Sequence, residues 1–252
     1  MKRALFALVF CSIGTAAFAD GAPSRLAHSD RGCAPGRFAG SYIGAAVGYA
    51  DPRAEITNNV TGTKYTPSDS SVTFGGYAGY NWQCDRVVLG VETDFNYLDS
   101  SQTATSGTVT LNSALDWYGT VRARAGVVVH DDLLLYVTGG FAYASVDHTF
   151  SDSNVNNTLV SFSQSDSRTS TGWTLGGGAE LFRDFLGHKN LMLRVEGAFV
   201  DLGSTTNSYT VSTTACGSVP CQGSLKWDDE FWVGRIGLTY KFGDRDPPAP
   251  LK

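Results

Sequence analysis

Charge is scarce in this 252-residue chain, with Asp, Glu, Lys and Arg making up 17 % of it and no run of basic residues anywhere. Nucleic-acid binding needs cations gathered on one face, so no nucleic-acid partner is expected. Past its first residues the chain also lacks the roughly 20 consecutive apolar residues that a membrane-crossing helix requires. Any passage through a bilayer must then be made by a closed β-barrel, the other architecture that satisfies every backbone polar group in lipid. The four histidines and five cysteines suggest no metal site. The run Gly176-Gly177-Gly178 is not a phosphate loop, because neither the helix start nor the lysine of that motif follows it.

The first residues read as a leader. Met1-Lys2-Arg3 precedes the apolar run Ala4 to Ile13, then the small-residue stretch ending Ala17-Phe18-Ala19 before Asp20. This pattern predicts a signal peptide over residues 1–19, cleaved after Ala19. The apolar run is too short for a membrane anchor. Phe10 is too bulky for Cys11 to be a lipoprotein site. Loss of Lys2 and Arg3 leaves 17 basic against 24 acidic residues, a formal charge of −7.

From residue 41 onward, alternating segments rich in Gly, Val, Leu and aromatics recur at the length of tilted membrane strands. Eight are predicted: Ser41 to Ala50, Val72 to Trp82, Val87 to Leu98, Asp116 to Val129, Leu133 to Phe150, Ser170 to Phe182, Leu191 to Leu202 and Phe231 to Phe242. Connections 83–86, 130–132 and 183–190 are short, whereas 51–71, 99–115, 151–169 and 203–230 are long. The expected fold is an all-β, antiparallel, up-and-down transmembrane barrel with short periplasmic turns and four long external loops. Those loops are dominated by Ser, Thr, Asn, Gly and Asp and read as hydrated segments without a core of their own. The expected organisation is a periplasmic segment over 20–40, the barrel over 41–242 and a short periplasmic tail over 243–252, in the outer membrane, with both termini periplasmic.

Export places the four remaining cysteines in an oxidising compartment, where three pairings are open to them. Cys216 and Cys221 bracket a tight loop, and the topology brings Cys33 and Cys84 to one rim. Bridges Cys33–Cys84 and Cys216–Cys221 are therefore expected.

A soluble, ligand-carrying barrel alternates in the same way, and the two faces tell the alternatives apart. Val87, Leu89, Val91, Phe95 and Tyr97 oppose Glu92, Asp94 and Asn96, and Trp117, Val121, Ala123, Ala125 and Val127 oppose Arg122 and Arg124. Glu180, Arg194, Glu196 and Arg235 fall on the polar faces of later strands. Aromatics gather towards strand ends, with Tyr80, Trp82, Tyr240 and Phe242 on the periplasmic side and Tyr97, Trp117, Trp173 and Trp232 on the external side. Two such girdles mark two membrane interfaces. The lumen charges, Glu92, Asp94, Glu180 and Glu196 against Arg122, Arg124, Arg194 and Arg235, balance. An eight-stranded barrel holds little beyond side chains, so they read as a structural ion-pair network, with a gated pore as the alternative. Strand glycines such as Gly75, Gly119 and Gly178 would permit curvature and close aromatic packing.

The chain resembles the RopB-type outer-membrane surface antigens of alphaproteobacteria, within the broader group of OmpA-like eight-stranded barrels. The resemblance rests on Tyr42-Ile43-Gly44 with Val47-Gly48-Tyr49, on Leu115-Asp116-Trp117-Tyr118-Gly119-Thr120-Val121-Arg122-Ala123-Arg124, on Tyr136-Val137-Thr138-Gly139-Gly140, on Gly172-Trp173-Thr174-Leu175-Gly176-Gly177-Gly178-Ala179-Glu180, and on the last strand. It implies a structural and antigenic envelope protein, porin-like in some descriptions, with heme as a ligand of some members. The final Gly237-Leu238-Thr239-Tyr240-Lys241-Phe242 is similar to the signal read by the barrel-assembly machinery, departing from it in the residues after Phe242. Expected partners are outer-membrane lipid, that machinery and an external partner met through the loops. No cofactor is expected, and for heme the candidate ligands are His148 and Tyr209. No catalytic residue is expected either. Among His28, His130, His148 and His188, only His148, beside Asp147 and Thr149, falls where a rim site could form.

Overall fold

A side-chain period of two persists through nearly all of the chain that the structure describes, and the backbone responds with strands. The computed structural model describes residues 36–59, 62–106, 109–152, 162–182, 190–211 and 221–242. The strands are β1 (Gly40–Asn58), β2 (Lys64–Tyr65), β3 (Ser71–Cys84), β4 (Val87–Ser106), β5 (Val109–His130), β6 (Leu133–Asp152), β7 (Phe162–Phe182), β8 (Leu191–Val211) and β9 (Cys221–Lys241). Each pairs antiparallel with its neighbours, and β1 also pairs with β9 from Tyr42↔Lys241 to Asn58↔Leu225. Eight strands thereby close a ring, and β2 adds two residues to the outer edge of β1. Closure leaves the bilayer-spanning part of the sheet without a free edge.

The start of β1 and the end of β9 lie at one end of the barrel, together with the tight β3–β4 and β5–β6 turns. In the first of these turns Asp85 takes a φ of 52°, a left-handed conformation that a short polar side chain tolerates. Residues 36–39 fold beneath this terminal end. Phe38 is buried, its N–H donates to Gln83 Oε1 at 2.9 Å, and its carbonyl accepts from Asn81 Nδ2 at 3.2 Å.

At the opposite, distal end the connections are long in sequence, as expected, but most of their length is strand. β4 and β5 stay paired to Ser106↔Val109, β6 and β7 to Asp152↔Phe162, and β8 and β9 to Val211↔Cys221. The expectation that these segments lack a core is overturned. Ala54, Ile56, Leu111, Leu225 and Trp227 are buried together, and Tyr65, Ala104 and Phe150 pack on them. Each segment carries too few apolar residues to look like core alone. Ring closure stacks their inward positions into one cluster, and the many threonines suit a pleated, half-buried surface.

Candidate functional site

Outward positions are apolar at mid-barrel. Val47, Leu89, Val121, Val137, Leu175 and Ile236 are all about half exposed, as are most of their alternate neighbours. A soluble protein rarely shows so continuous an apolar surface, and around a barrel it is the lipid-facing band.

Aromatic side chains bound this band. At the terminal end Tyr80 packs on Trp82 at 4.9 Å between ring centroids, and Tyr240 on Phe242 at 5.2 Å. At the distal end Tyr97, Trp117, Trp173 and Trp232 are joined by residues that sequence reasoning did not single out as girdle members. Phe74 meets Tyr97, Phe95 and Tyr143 flank Trp117, and Phe199 bridges Trp173 and Trp232. Trp232 and Tyr240 are about eight residues apart on β9, roughly 26 Å along a strand and roughly 20 Å across a bilayer at the usual tilt.

The interior is inverted, with charge in the middle. All eight lumen residues lie in one buried layer. Strand register makes part of it inevitable, since Arg122 is opposite Glu92, Arg194 opposite Glu180 and Arg235 opposite Glu196. Longer contacts tie these pairs across the lumen. Arg122 reaches Glu92 at 2.5 Å, Asp94 at 3.0 Å and Glu196 at 2.7 Å. Arg194 bridges Glu92 and Glu180, each at 2.6 Å. Arg124 pairs with Glu180 at 3.1 Å, and Arg235 with Asp94 at 2.9 Å and with Glu196. Four cations meet four anions, so the layer carries no net charge.

Sequence reasoning missed the tyrosines that complete this layer. Tyr42 donates to Glu92 at 2.7 Å and accepts from Arg124 at 2.9 Å, while Tyr136 donates to Glu196 at 2.6 Å. The Arg194 guanidinium lies 4.0 Å from the Tyr77 ring centroid, and that of Arg124 4.0 Å from the Tyr136 ring centroid. Glycine makes the space for them. A Cβ on Gly44 would lie 2.3 Å from the Tyr77 ring, and one on Gly79 2.3 Å from the Tyr42 hydroxyl. The available signal was parity, because Tyr42 and Tyr136 share the in-facing phase of their strands with small or polar residues.

Apolar clusters cover the charged layer on both sides. Towards the terminal end lie Phe38, Val88, Val128, Leu134, Phe182 and Met192. Towards the distal end lie Leu98, Leu115, Tyr118, Val146, Val200, Phe231 and their neighbours.

Residues 5–242 match the outer membrane protein beta-barrel domain family. The chain belongs to that family. Its relatives include outer-membrane immunogenic proteins. It is 33 % identical over 216 residues to the 31 kDa outer-membrane immunogenic protein of Brucella melitensis, covering 81 % of this chain and 83 % of that one. It is 28 % identical over 205 residues to the 25 kDa outer-membrane immunogenic protein of the same organism, covering 81 % and 79 %. The outer membrane protein OprG of Pseudomonas aeruginosa shares the fold, with a TM-score of 0.55 at 19 % identity, over 83 % of this chain and 99 % of that one. The chain is thus an outer-membrane barrel of the surface-antigen kind, which agrees with its apolar exterior.

His148 does not sit on an accessible rim. It is 2 % exposed, its Nε2 lies 2.9 Å from Asp229 Oδ2, and its ring stacks on Trp227 at 4.2 Å. Ser113 donates to the other oxygen of Asp229 at 3.3 Å. The carboxylate therefore stands between serine and histidine, whereas activation of a serine needs the imidazole between them. The side chain of Tyr209 and residues His28 and His188 lie outside the described residues, and His130 is exposed at the end of β5.

Proposed function

We propose that this protein is a sealed, non-enzymatic outer-membrane barrel that stabilises the envelope and presents its distal strand extension to the exterior, with both termini periplasmic. The observation that carries this reading is the neutral, buried Arg–carboxylate layer covered on both sides by apolar clusters. A solute would have to cross two apolar plugs and break ion pairs that cost about 3–5 kcal/mol each when one partner is lost. This favours a structural lumen over the porin alternative.

The reading includes export by cleavage after Ala19 and a Cys33–Cys84 bridge at the periplasmic rim. Cys84, at the end of β3, carries a disulfide, which supports that pairing. Cys33 and Cys216 lie outside the described residues, and Cys221 begins β9 opposite Val211. Lipid is the partner suited to the exposed band, the barrel-assembly machinery the partner for the final strand, and an external macromolecule the partner for the distal end.

The test is conductance of the refolded mature protein in a planar bilayer, after heat-modifiable gel mobility has verified the barrel. Silence is expected, and it should persist when Glu92 is neutralised. Stable openings that respond to Glu92→Gln would overturn the sealed-lumen reading.

A further inference from the structure

Above the membrane band the strands no longer form a ring. β7 and β8 pair only from Phe182↔Met192 to Trp173↔Asp201, although both strands run about ten residues further. On the opposite flank β3 begins at Ser71, paired with Ala50, and its pairing with β4 reaches no further than Thr73↔Leu98. These two seams divide the distal extension into two four-stranded sheets. One runs β4, β5, β6, β7 and stays paired to Ser106↔Val109 and Asp152↔Phe162. The other runs β8, β9, β1, β2 and stays paired to Val211↔Cys221, Asn58↔Leu225 and Thr57↔Lys64. The sheets face each other, because the upper core takes Ala104, Leu111 and Phe150 from the first and Ile56, Tyr65, Leu225 and Trp227 from the second. The extension is therefore a small two-sheet sandwich on top of the barrel.

Three register shifts fall at the height of the distal girdle. They lie between Tyr97 and Ser100, between Leu115 and Trp117, and between Asp201 and Ser204, where Gly203 takes a φ of 71°. A bulge bends its strand and interrupts the ladder, so each sheet has a break where it leaves the barrel.

A polar cluster ties the sheets together. His148 on β6 donates its Nε2–H to Asp229 Oδ2 on β9 at 2.9 Å, since a carboxylate only accepts. Ser113 on β5 donates to the other oxygen at 3.3 Å, and the imidazole stacks on Trp227 of β9 with the ring planes 11° apart. Closure is imperfect around this tie. Gln102 Oε1, His148 Nδ1 and Trp227 Nε1 are buried without a hydrogen-bond partner among the described residues. A cavity of about 20 Å³ lies between His148, Phe150 and Asp166 on one sheet and Leu225 and Trp227 on the other, space for about one water. Apolar contacts hold the sandwich shut, whereas polar atoms left unpaired inside it favour hydration and oppose closure.

We propose that the distal extension is a jaw whose two sheets part as intact halves, hinging at the girdle-level bulges, and that the hydrogen bonds of Asp229 to His148 and Ser113 latch it shut. Parting brings the imidazole and the apolar faces of Trp227 and Leu225 to the exterior while the ladders within each sheet persist. The jaw stands above the charged lumen and works whether or not the barrel conducts.

The probe is diethyl pyrocarbonate, which carbethoxylates an accessible imidazole, applied to refolded mature protein in detergent micelles and read by peptide mass spectrometry. Exposed His130 is the internal reference. In the parent, His148 should react about tenfold more slowly than His130, yet to completion. Asp229→Ala should raise the His148 rate about tenfold, and Asp229→Asn, which keeps an acceptor, should raise it less. Heat-modifiable gel mobility verifies each barrel, and Asp229→Asn carries the test if Asp229→Ala does not refold. Amide hydrogen exchange in 109–115 and 51–58 should stay as slow in the variants as in the parent. The proposal fails if His148 of the parent reacts as fast as His130, or if the variants leave the His148 rate unchanged. Amide exchange that accelerates in step with His148 labelling would mean local melting rather than parted sheets, and would overturn it as well.

Discussion

At the residue scale, the lumen shows how charge becomes tolerable when it is buried with its partners. Arg122 touches three carboxylates, and its removal would leave Glu92, Asp94 and Glu196 short of a cation. Arg122→Ala is expected to lower the unfolding stability of the refolded barrel by about 3–5 kcal/mol, read as a shifted urea midpoint. A midpoint like that of the parent would point to a hydrated lumen. Gly44 is a second such position, since any side chain there displaces the Tyr77 ring from beneath Arg194. Gly44→Ala should cost about 1–3 kcal/mol as an overpacking defect, and Gly44→Ala with Tyr77→Phe should recover little, because the ring rather than the hydroxyl makes the closest clash. The eight charges were legible from alternation alone. The tyrosines were not, because a tyrosine in a membrane strand suits the interfacial girdle equally well until its neighbours across the lumen are known.

At the scale of elements, each long strand serves two environments. Between the girdles it places apolar side chains in lipid and polar ones inside. Beyond the distal girdle the same alternation puts apolar side chains inside, as in a water-soluble sheet. Trp227 is the largest side chain in that upper core, packed with Ile56 and Leu111 and stacked on His148. Trp227→Ala should therefore loosen the extension, at a cost of about 3–5 kcal/mol, and leave the membrane band folded. Limited proteolysis is expected to cut the variant within 99–115 or 203–230 while heat-modifiable mobility is retained. Loss of both together would mean that the extension and the membrane band fold as one unit. Strand length was hard to read because apolar residues thin out beyond the girdle, and Ser and Thr report a strand less plainly than Val or Leu.

At the scale of the whole molecule, the barrel is an inside-out protein whose exterior is fitted to hydrocarbon. Ile236 lies midway between Trp232 and Tyr240 on β9 and faces outward. Ile236→Arg is expected to cost about 2–4 kcal/mol in lipid vesicles, whereas a substitution of the same kind at an exposed position of the distal extension, Ser165→Arg, should be near neutral. Equal costs at both sites would mean that the band at Ile236 does not contact lipid. The sequence by itself determined the eight-stranded antiparallel barrel, the polarity of its two faces, the balanced lumen charges and much of the aromatic girdles, because a period of two and the positions of Trp and Tyr are local signals. Tertiary structure alone decided which arginine meets which carboxylate, how Phe38 and the apolar clusters cover the charged layer, and where the ring parts between β7 and β8. These depend on register, closure and a bulge at Gly203, which bring together residues far apart in the chain.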